Sequence, residues 1–180
     1  MIVTISGSPG SGKSTVARAV AKELNLKHFS AGDFMREMAS ERGVSLAELT
    51  ALSEKDVSID REIDERTKKL IGMDDFVIDS RLAFHFLPGA VKIFLKVDPK
   101  VAAKRIWKDV QEKKRTAEEF ASEEAVLNGI LSRQASEIKR YKEYYNVDFL
   151  DESNFDFVLD TSDLNIEQAV AKVLDFLRKK

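Results

Sequence analysis

The sequence predicts an α/β fold in which a five-stranded parallel sheet lies between two helical layers, with helical insertions added to that core. Three observations predict it. Short apolar segments that mostly lack polar alternation recur along the chain, as expected of strands buried on both faces. Runs with helical periodicity fill the gaps between them, and alternation of strand and helix implies parallel strands joined by right-handed crossovers. Between the first strand and the first helix lies a glycine-rich turn, "GSPGSGKST" at 7–15.

In order, "IVTIS" at 2–6 reads as the first strand, and "KSTVARAVAKEL" as the helix that follows it. "KHFS" at 27–30 is the second strand, followed by the helical run "DFMREMASERG". "FVID" at 76–79 is the third. "VKIFLKV" at 91–97 is the fourth and leads into "PKVAAKRIWKDVQEK", where Pro99 suits a first helical turn. "FDFVLD" at 155–160 is the fifth, and "NIEQAVAKVLDFLRKK" closes the chain with apolar residues at Ile166, Val170, Val173, Leu174 and Leu177. Two intervals exceed a simple crossover. About 33–74 holds a broken pair of helical runs, and about 108–148 holds the charged stretch "KDVQEKKRTAEEFASEE" and a long helix, "AVLNGILSRQASEIKRYKEYY". Insertions of this kind in a compact domain serve as substrate-binding arms or lids, or as plain helical padding.

Composition narrows the class of function. The chain has 180 residues, one domain's worth, and its 29 basic and 31 acidic side chains leave a net charge of minus two. That balance excludes a global basic field for nucleic acid, so any anion site must come from particular side chains. With no cysteine there is neither a disulfide nor a cysteine-held zinc. No apolar run reaches the ~18 residues of a membrane span, and "MIVTISGS" lacks the marks of a secretory leader. The expectation is a cytoplasmic monomer acting on a small molecule, without nucleic-acid or membrane partners.

The turn carries the most specific signal. Gly7, four residues, then Gly12, Lys13 and Ser14 fit G-x-x-x-x-G-K-[ST], with a strand before and a helix after. This is the phosphate loop, or P-loop, of the three-layer P-loop NTPase fold. Backbone amides of Gly7, Ser8, Pro9–Gly10, Ser11 and Gly12 would wrap a polyphosphate at a helix N-terminus. Lys13 would reach the β- and γ-phosphates, the Ser14 hydroxyl would ligate Mg²⁺, and Thr15 is a further phosphate contact. The nucleotide expected is ATP.

A second anion site is suggested at the carboxyl ends of the second and third strands, where open α/β sheets present ligand loops. "FSAGDFMRE" offers Ser30, Gly32, Asp33 and Arg36, and "VIDSRLA" offers Asp79, Ser80 and Arg81. Arg36 and Arg81 could converge on one phosphate, which guanidinium groups grip bidentately. Bland readings stand beside these: Ser30 and Asp33 as a capping box, Arg36 pairing with Glu37 or Glu41, and Asp79 capping a turn rather than holding a Mg²⁺-bound water. On the long helix Arg133, Glu137 and Arg140 fall on one face, beside a stripe drawn through Leu127, Leu131, Ile138 and Tyr145. Glu137 between the two arginines would orient both toward phosphate, unless the three are a solvated salt-bridge stripe. Arg105, in "AAKRIWKD", is a further candidate.

These residues resemble a family. With the P-loop, "GDFMR", "DSRLAF", "PGAVKIFLKVDPKVAAKRI", "LSRQASEIKRY" and "VLDTSDLNIEQAVAKVL", the chain resembles the nucleoside monophosphate kinases, and its order of motifs is similar to the small archaeal type of cytidylate kinase. The resemblance implies that Arg36 and Arg81 bind the acceptor monophosphate. It also implies that Arg105, Arg133 and Arg140 close over the transferring phosphoryl group from the side of a lid at about 108–148, and that "TSDL" after Asp160 lies where adenine is held. The family's Arg-x-x-x-Asp-x-x-Arg pattern carries Glu137 here. Ala31 stands where adenylate kinases have Thr, and Ser80 precedes Arg81 where they have Gly-Phe-Pro. Both departures move the expected acceptor from AMP to CMP and dCMP.

The rival within the class is phosphorylation of AMP, UMP or another small molecule. A rival from another class is a P-loop ATPase switch in RNA assembly. Against that, neither Asp-x-x-Gly with Asn-Lys-x-Asp nor a basic run interleaved with aromatics is present.

Overall fold

The computed structural model describes residues 1–112 and 120–180. Five strands, β1 (Ile2–Gly7), β2 (Lys27–Ser30), β3 (Phe76–Asp79), β4 (Val91–Lys96) and β5 (Phe157–Asp160), form one sheet in the order β2-β3-β1-β4-β5. Every pairing is parallel, as expected, and Asp79 at the end of β3 lies in register with Ile5 on one side and Ser30 on the other.

The side-chain alternation of the strands decides the layers. Val3, Ile5, Val77, Ile93 and Leu95 point to one face, where they meet Val16 and Val20 of α1 (Lys13–Glu23) and Val173 and Leu177 of α8 (Ile166–Leu177). Phe76 and Ile78 point to the other and pack on Ala83 of α5 (Ala83–Phe86) and on Leu87. Each such aliphatic side chain contributes ~1.5–3 kcal/mol by leaving water. The central strand is thus held from both sides, and its C-terminal end emerges at a fixed place.

Between β2 and β3 the chain makes three helices, α2 (Ala31–Glu41), α3 (Leu46–Ser53) and α4 (Val57–Lys68), rather than a broken pair. The extra start is a cap effect: Ser45 and Glu48 form a reciprocal capping box on α3, and the Asp56 carboxylate accepts from Ser58 N at 2.8 Å to begin α4. The three helices share a small core of Met38, Leu49 and Ile59. Arg66 ties α4 to α2 through Glu37 (3.0 Å) and Glu41 (2.6 Å), the two carboxylates the sequence had offered to Arg36. Helix α2 starts directly after β2, two residues before the expected Asp33, and the Ser30 side chain makes no capping hydrogen bond.

After β4, the Asp98 side chain caps α6 (Pro99–Gln111), and Ser122 caps α7 (Glu123–Tyr145). Residues 113–119 of the charged stretch lie outside the described residues. Ala102, Ala103 and Ile106 of α6 pack against Val126 and Ile130 of α7. The stripe drawn on α7 is corrected here: Val126, Ile130, Glu137 and Tyr141 are its buried residues, while Leu131 is 46% exposed. Glu137 lies on the buried line itself because an arginine from the end of the sheet neutralises it there. Strand β5 begins at Phe157 rather than Phe155, whose ring turns instead between Phe84 and Phe94, with centroids at 4.7 and 4.9 Å. Among the described residues no helix is long and apolar enough to cross a membrane.

Candidate active site

At the C-terminal end of β1 the glycine-rich turn closes into a loop with two left-handed glycines. Gly10 (φ 76°) and Gly12 (φ 82°) are left-handed, and a Cβ on Gly10 would stand 2.7 Å from the Ala102 methyl. Gly12 is the N-cap residue of α1, so the first amides of that helix open toward the loop. Such an arrangement of unpaired N–H groups at a positive helix end suits a phosphate chain. Ser11 is buried within the loop: its carbonyl accepts from Thr161 Oγ1 at 3.2 Å, and its own hydroxyl finds no hydrogen-bond partner among the described residues.

Lys13 is enclosed by charge. Burial, then the neighbouring Arg81, lowers its ammonium to a pKa of about 7, against a partial offset from Asp79. Beside it the Ser14 hydroxyl donates to Asp79 Oδ2 at 2.7 Å. The same oxygen accepts from Ser30 Oγ at 3.1 Å, while His28 Nε2 lies 2.7 Å from Asp79 Oδ1. Burial alone would raise the Asp79 carboxyl, but the bonds from His28 and Ser14 outweigh it and hold the group below the usual carboxylate range. Asp79 is therefore an anion at neutral pH, with Oδ2 taking the two hydroxyl donors and Oδ1 the imidazole. Among the described residues it caps no turn, and a hydroxyl backed by an anionic carboxylate, both hard oxygen groups, fits Mg²⁺.

Arg81 reaches under the loop. Its Nε donates to Glu137 Oε2 at 2.5 Å and its Nη1 to the Gly7 carbonyl at 2.9 Å. The other Glu137 oxygen accepts from Arg133 Nε at 3.0 Å. The two members of the first pair are almost closed to solvent, whereas the Arg133 side chain is 52% exposed. The two guanidinium groups hold the Glu137 carboxyl low against the burial that would raise it. Glu137 thus orients Arg81 and Arg133, not Arg133 and Arg140.

The remaining candidates are spread more widely. Arg140 reaches back to α4, donating to Asp60 Oδ2 at 2.9 Å and to Ser136 Oγ at 2.7 Å. Arg36 pairs with Asp33 one turn earlier and is 56% exposed, and a Cβ on Gly32 would touch its guanidinium at 3.7 Å and Ser30 Oγ at 3.4 Å. The Ser80 hydroxyl accepts from Leu82 N at 3.3 Å and braces the turn after β3. Arg105 donates to the carbonyls of Thr161 (2.6 Å), Leu164 (3.0 Å) and Ser162 (3.2 Å), so it shapes the segment after β5. The structure therefore gathers Lys13, Ser14, Ser30, Asp79, Arg81, Glu137 and Arg133 around the loop, where Arg105 also reaches the Gly10 carbonyl at 3.5 Å, and turns Arg36 to Asp33 and Arg140 to Asp60. Sequence reasoning missed His28 and Asp60. His28 was findable, since it lies two residues before Ser30 on a strand and so shares its face.

A parallel sheet with a lysine-bearing phosphate loop at the end of β1, and a hydroxyl–carboxylate pair beside it, is the arrangement of a P-loop nucleotide-binding protein. The solved shikimate kinases of Bacteroides thetaiotaomicron (TM-score 0.71, 15% identity, 99% of this chain and 98% of that one) and Aquifex aeolicus (0.59, 17%, 99% and 97%) share the fold. Within that class the chain belongs to the cytidylate kinase-like family, whose family model matches residues 2–163. It is 37% identical to the cytidylate kinase of Methanocaldococcus jannaschii over 99% of this chain and 100% of that one. It is 40% identical to that of Methanosarcina acetivorans (99% and 94%) and to that of Halobacterium salinarum (97% and 88%). The resemblance read from the motifs is to this family.

Proposed function

We infer that the protein transfers the γ-phosphoryl group of ATP to CMP and dCMP, yielding ADP and the nucleoside diphosphate. The observation that carries this reading is the set of cationic side chains locked beside the phosphate loop: Lys13, and Arg81 with Arg133 on the two oxygens of Glu137. Phosphoryl transfer spreads negative charge over the migrating group, and catalysis is largely alignment and electrostatic stabilisation. Guanidinium groups already oriented by a buried carboxylate lose little freedom on meeting that charge.

In this reading the loop amides and Lys13 hold the donor's phosphates. Ser14, donating its hydroxyl hydrogen bond to Asp79, would turn its lone pairs outward to hold Mg²⁺, which when bound supplies charge neutralisation on the donor phosphates. Arg36 and Arg81 hold the acceptor phosphate, with Ser30, Gly32, Asp33 and Ser80 shaping its surroundings. An acceptor phosphate oxygen, anionic at neutral pH, attacks the γ-phosphorus as the bond to the ADP oxygen breaks. No side chain has to remove a proton. Helices α2–α4 form the acceptor arm and 108–148 the lid whose closure excludes water, with Arg133 and Arg140 following it and Arg105 shaping the adenine site.

A coupled assay of ADP release with ATP, Mg²⁺ and CMP, dCMP, UMP, AMP or GMP in turn tests this. Turnover should depend on CMP or dCMP. ATP hydrolysis at a rate indifferent to every monophosphate would overturn the reading in favour of a switch ATPase, and preference for AMP or UMP would move the acceptor.

A further inference from the structure

We propose that His28 is a positioning residue for phosphoryl transfer, holding the Asp79 carboxylate in the rotamer that keeps Oδ2 on the Ser14 hydroxyl. The inference rests on the reading of Ser14 and Asp79 as the pair that holds Mg²⁺.

The argument starts from the softness of the aspartate. The last torsion of Asp is broad and nearly two-fold, so the carboxylate by itself chooses poorly which oxygen faces a given partner. Here the side chain is 3% exposed, and water cannot supply missing bonds. Oδ2 has two donors, Ser14 and Ser30, at 2.7 and 3.1 Å. Among the described residues Oδ1 has one side-chain donor, His28 Nε2 at 2.7 Å. Without the imidazole a buried anionic oxygen would stand bare, at a cost of ~1–3 kcal/mol or more for a charged acceptor. The carboxylate would relieve that cost by rotating, and the Ser14 hydroxyl would lose its fixed acceptor. A hydroxyl free to rotate no longer aims its lone pairs at a cation. His28 prevents this from a rigid place: it lies on the edge strand β2, on the same face as Ser30, which is in register with Asp79. The imidazole is itself 16% exposed, with its ring enclosed by the fold. The carboxylate neighbour fixes the proton on Nε2, as it does when a partner group selects a histidine's tautomer.

The test is Mn²⁺ binding to the protein in the presence of ADP, followed by the EPR signal of free Mn²⁺, alongside turnover and thermal unfolding. His28→Ala should weaken Mn²⁺ binding about three- to tenfold and lower kcat similarly, while KM for CMP changes less than twofold; loss of an outer-shell partner typically weakens metal sites by about ten- to a hundredfold, and His28 acts one step further out. His28→Gln, whose amide can place an N–H near the Nε2 position, should recover most of both and keeps the test valid if the alanine variant folds poorly. Mn²⁺ affinity and kcat within twofold of wild type in His28→Ala would overturn the proposal, as would a glutamine variant that folds normally yet binds Mn²⁺ as weakly as the alanine one. Ser14→Ala separates the two layers of the argument: if it leaves Mn²⁺ affinity unchanged, the cation-site reading itself fails.

Discussion

Glu137→Gln tests the electrostatic frame of the site most directly, because it removes one charge and almost no volume. The carboxylate serves two guanidinium groups in different surroundings. Arg81 and Glu137 are 12% and 5% exposed at 2.5 Å, whereas Arg133, at 3.0 Å, is half in solvent. An exposed pair is worth at most ~1 kcal/mol, so the Arg133 bond contributes little to stability. The buried pair is different: removing one partner outright costs ~3–5 kcal/mol, and a hydrogen bond to a charged group ~1.5–3 kcal/mol. Glutamine keeps one acceptor oxygen, which places the loss at about 2–3 kcal/mol between these bounds. The retained oxygen can serve only one of the two arginines; the other then faces the amide NH2 and loses its anchor, Arg81 keeping its bond to the Gly7 carbonyl in either case. If the lost orientation is felt in the transition state, kcat falls by about 30- to 150-fold at ~1.4 kcal/mol per decade. The assays are kcat and KM for CMP and ATP, with urea unfolding in parallel. A variant that unfolds earlier but keeps kcat within twofold would refute the reasoning, since Glu137 would then brace the fold without aiming the arginines.

Other consequences are open to measurement. Arg133→Ala should lower kcat far more than it weakens ATP or CMP binding, because a half-exposed guanidinium gains most from charge that develops in the transition state; proportional loss of affinity with kcat intact would remove it from the catalytic set. Lys13, lowered to about 7, is half neutral at pH 7, and an anionic phosphate chain favours its charged form. ADP binding should therefore take up a proton, and affinity should fall above pH 7 by up to tenfold per unit; calorimetry in buffers of different ionisation enthalpy reads the uptake, and its absence at pH 8.5 would contradict the assignment. Burial raises Asp64 to about 6, against the bond donated by Tyr145. Since this folded value exceeds the unfolded one, the native state binds the extra proton, and the stability it confers is full below pH 4 and lost as pH rises through 6. Asp64→Asn, which keeps an acceptor for Tyr145, should raise Tm at pH 8 by the equivalent of ~1–2 kcal/mol and change it little at pH 4; an equal shift at both would show that charge is not the cause.

The phosphate loop and the five strands were legible because each is a local rule: a fixed spacing of Gly, Lys and Ser, and apolar runs of strand length. The pairings of the polar side chains were not. Counting along α7 put Glu137 beside the apolar stripe and between Arg133 and Arg140, yet it is buried and shares its carboxylate with Arg81, 56 residues away in sequence. Arg140 turned to Asp60 on α4, and Ser30 turned from its helix to Asp79. In each case two local choices of similar energy were open, and the partner that won comes from a distant element. Asp60 showed no signal, being one acidic residue among many on a charged helix.

By itself, then, the order of residues determined the parallel sheet, the loop that would cradle a polyphosphate, and the family, because these depend on backbone conformation and hydrophobic period within short windows. Only the tertiary structure decided which carboxylate faces which cation. Strand register brings His28, Ser30 and Asp79 onto one face beside Ser14, and helix packing drives Glu137 against Arg81. Electrostatic pairing in a buried site depends on distance through space and on exclusion of water, and neither is written in sequence separation.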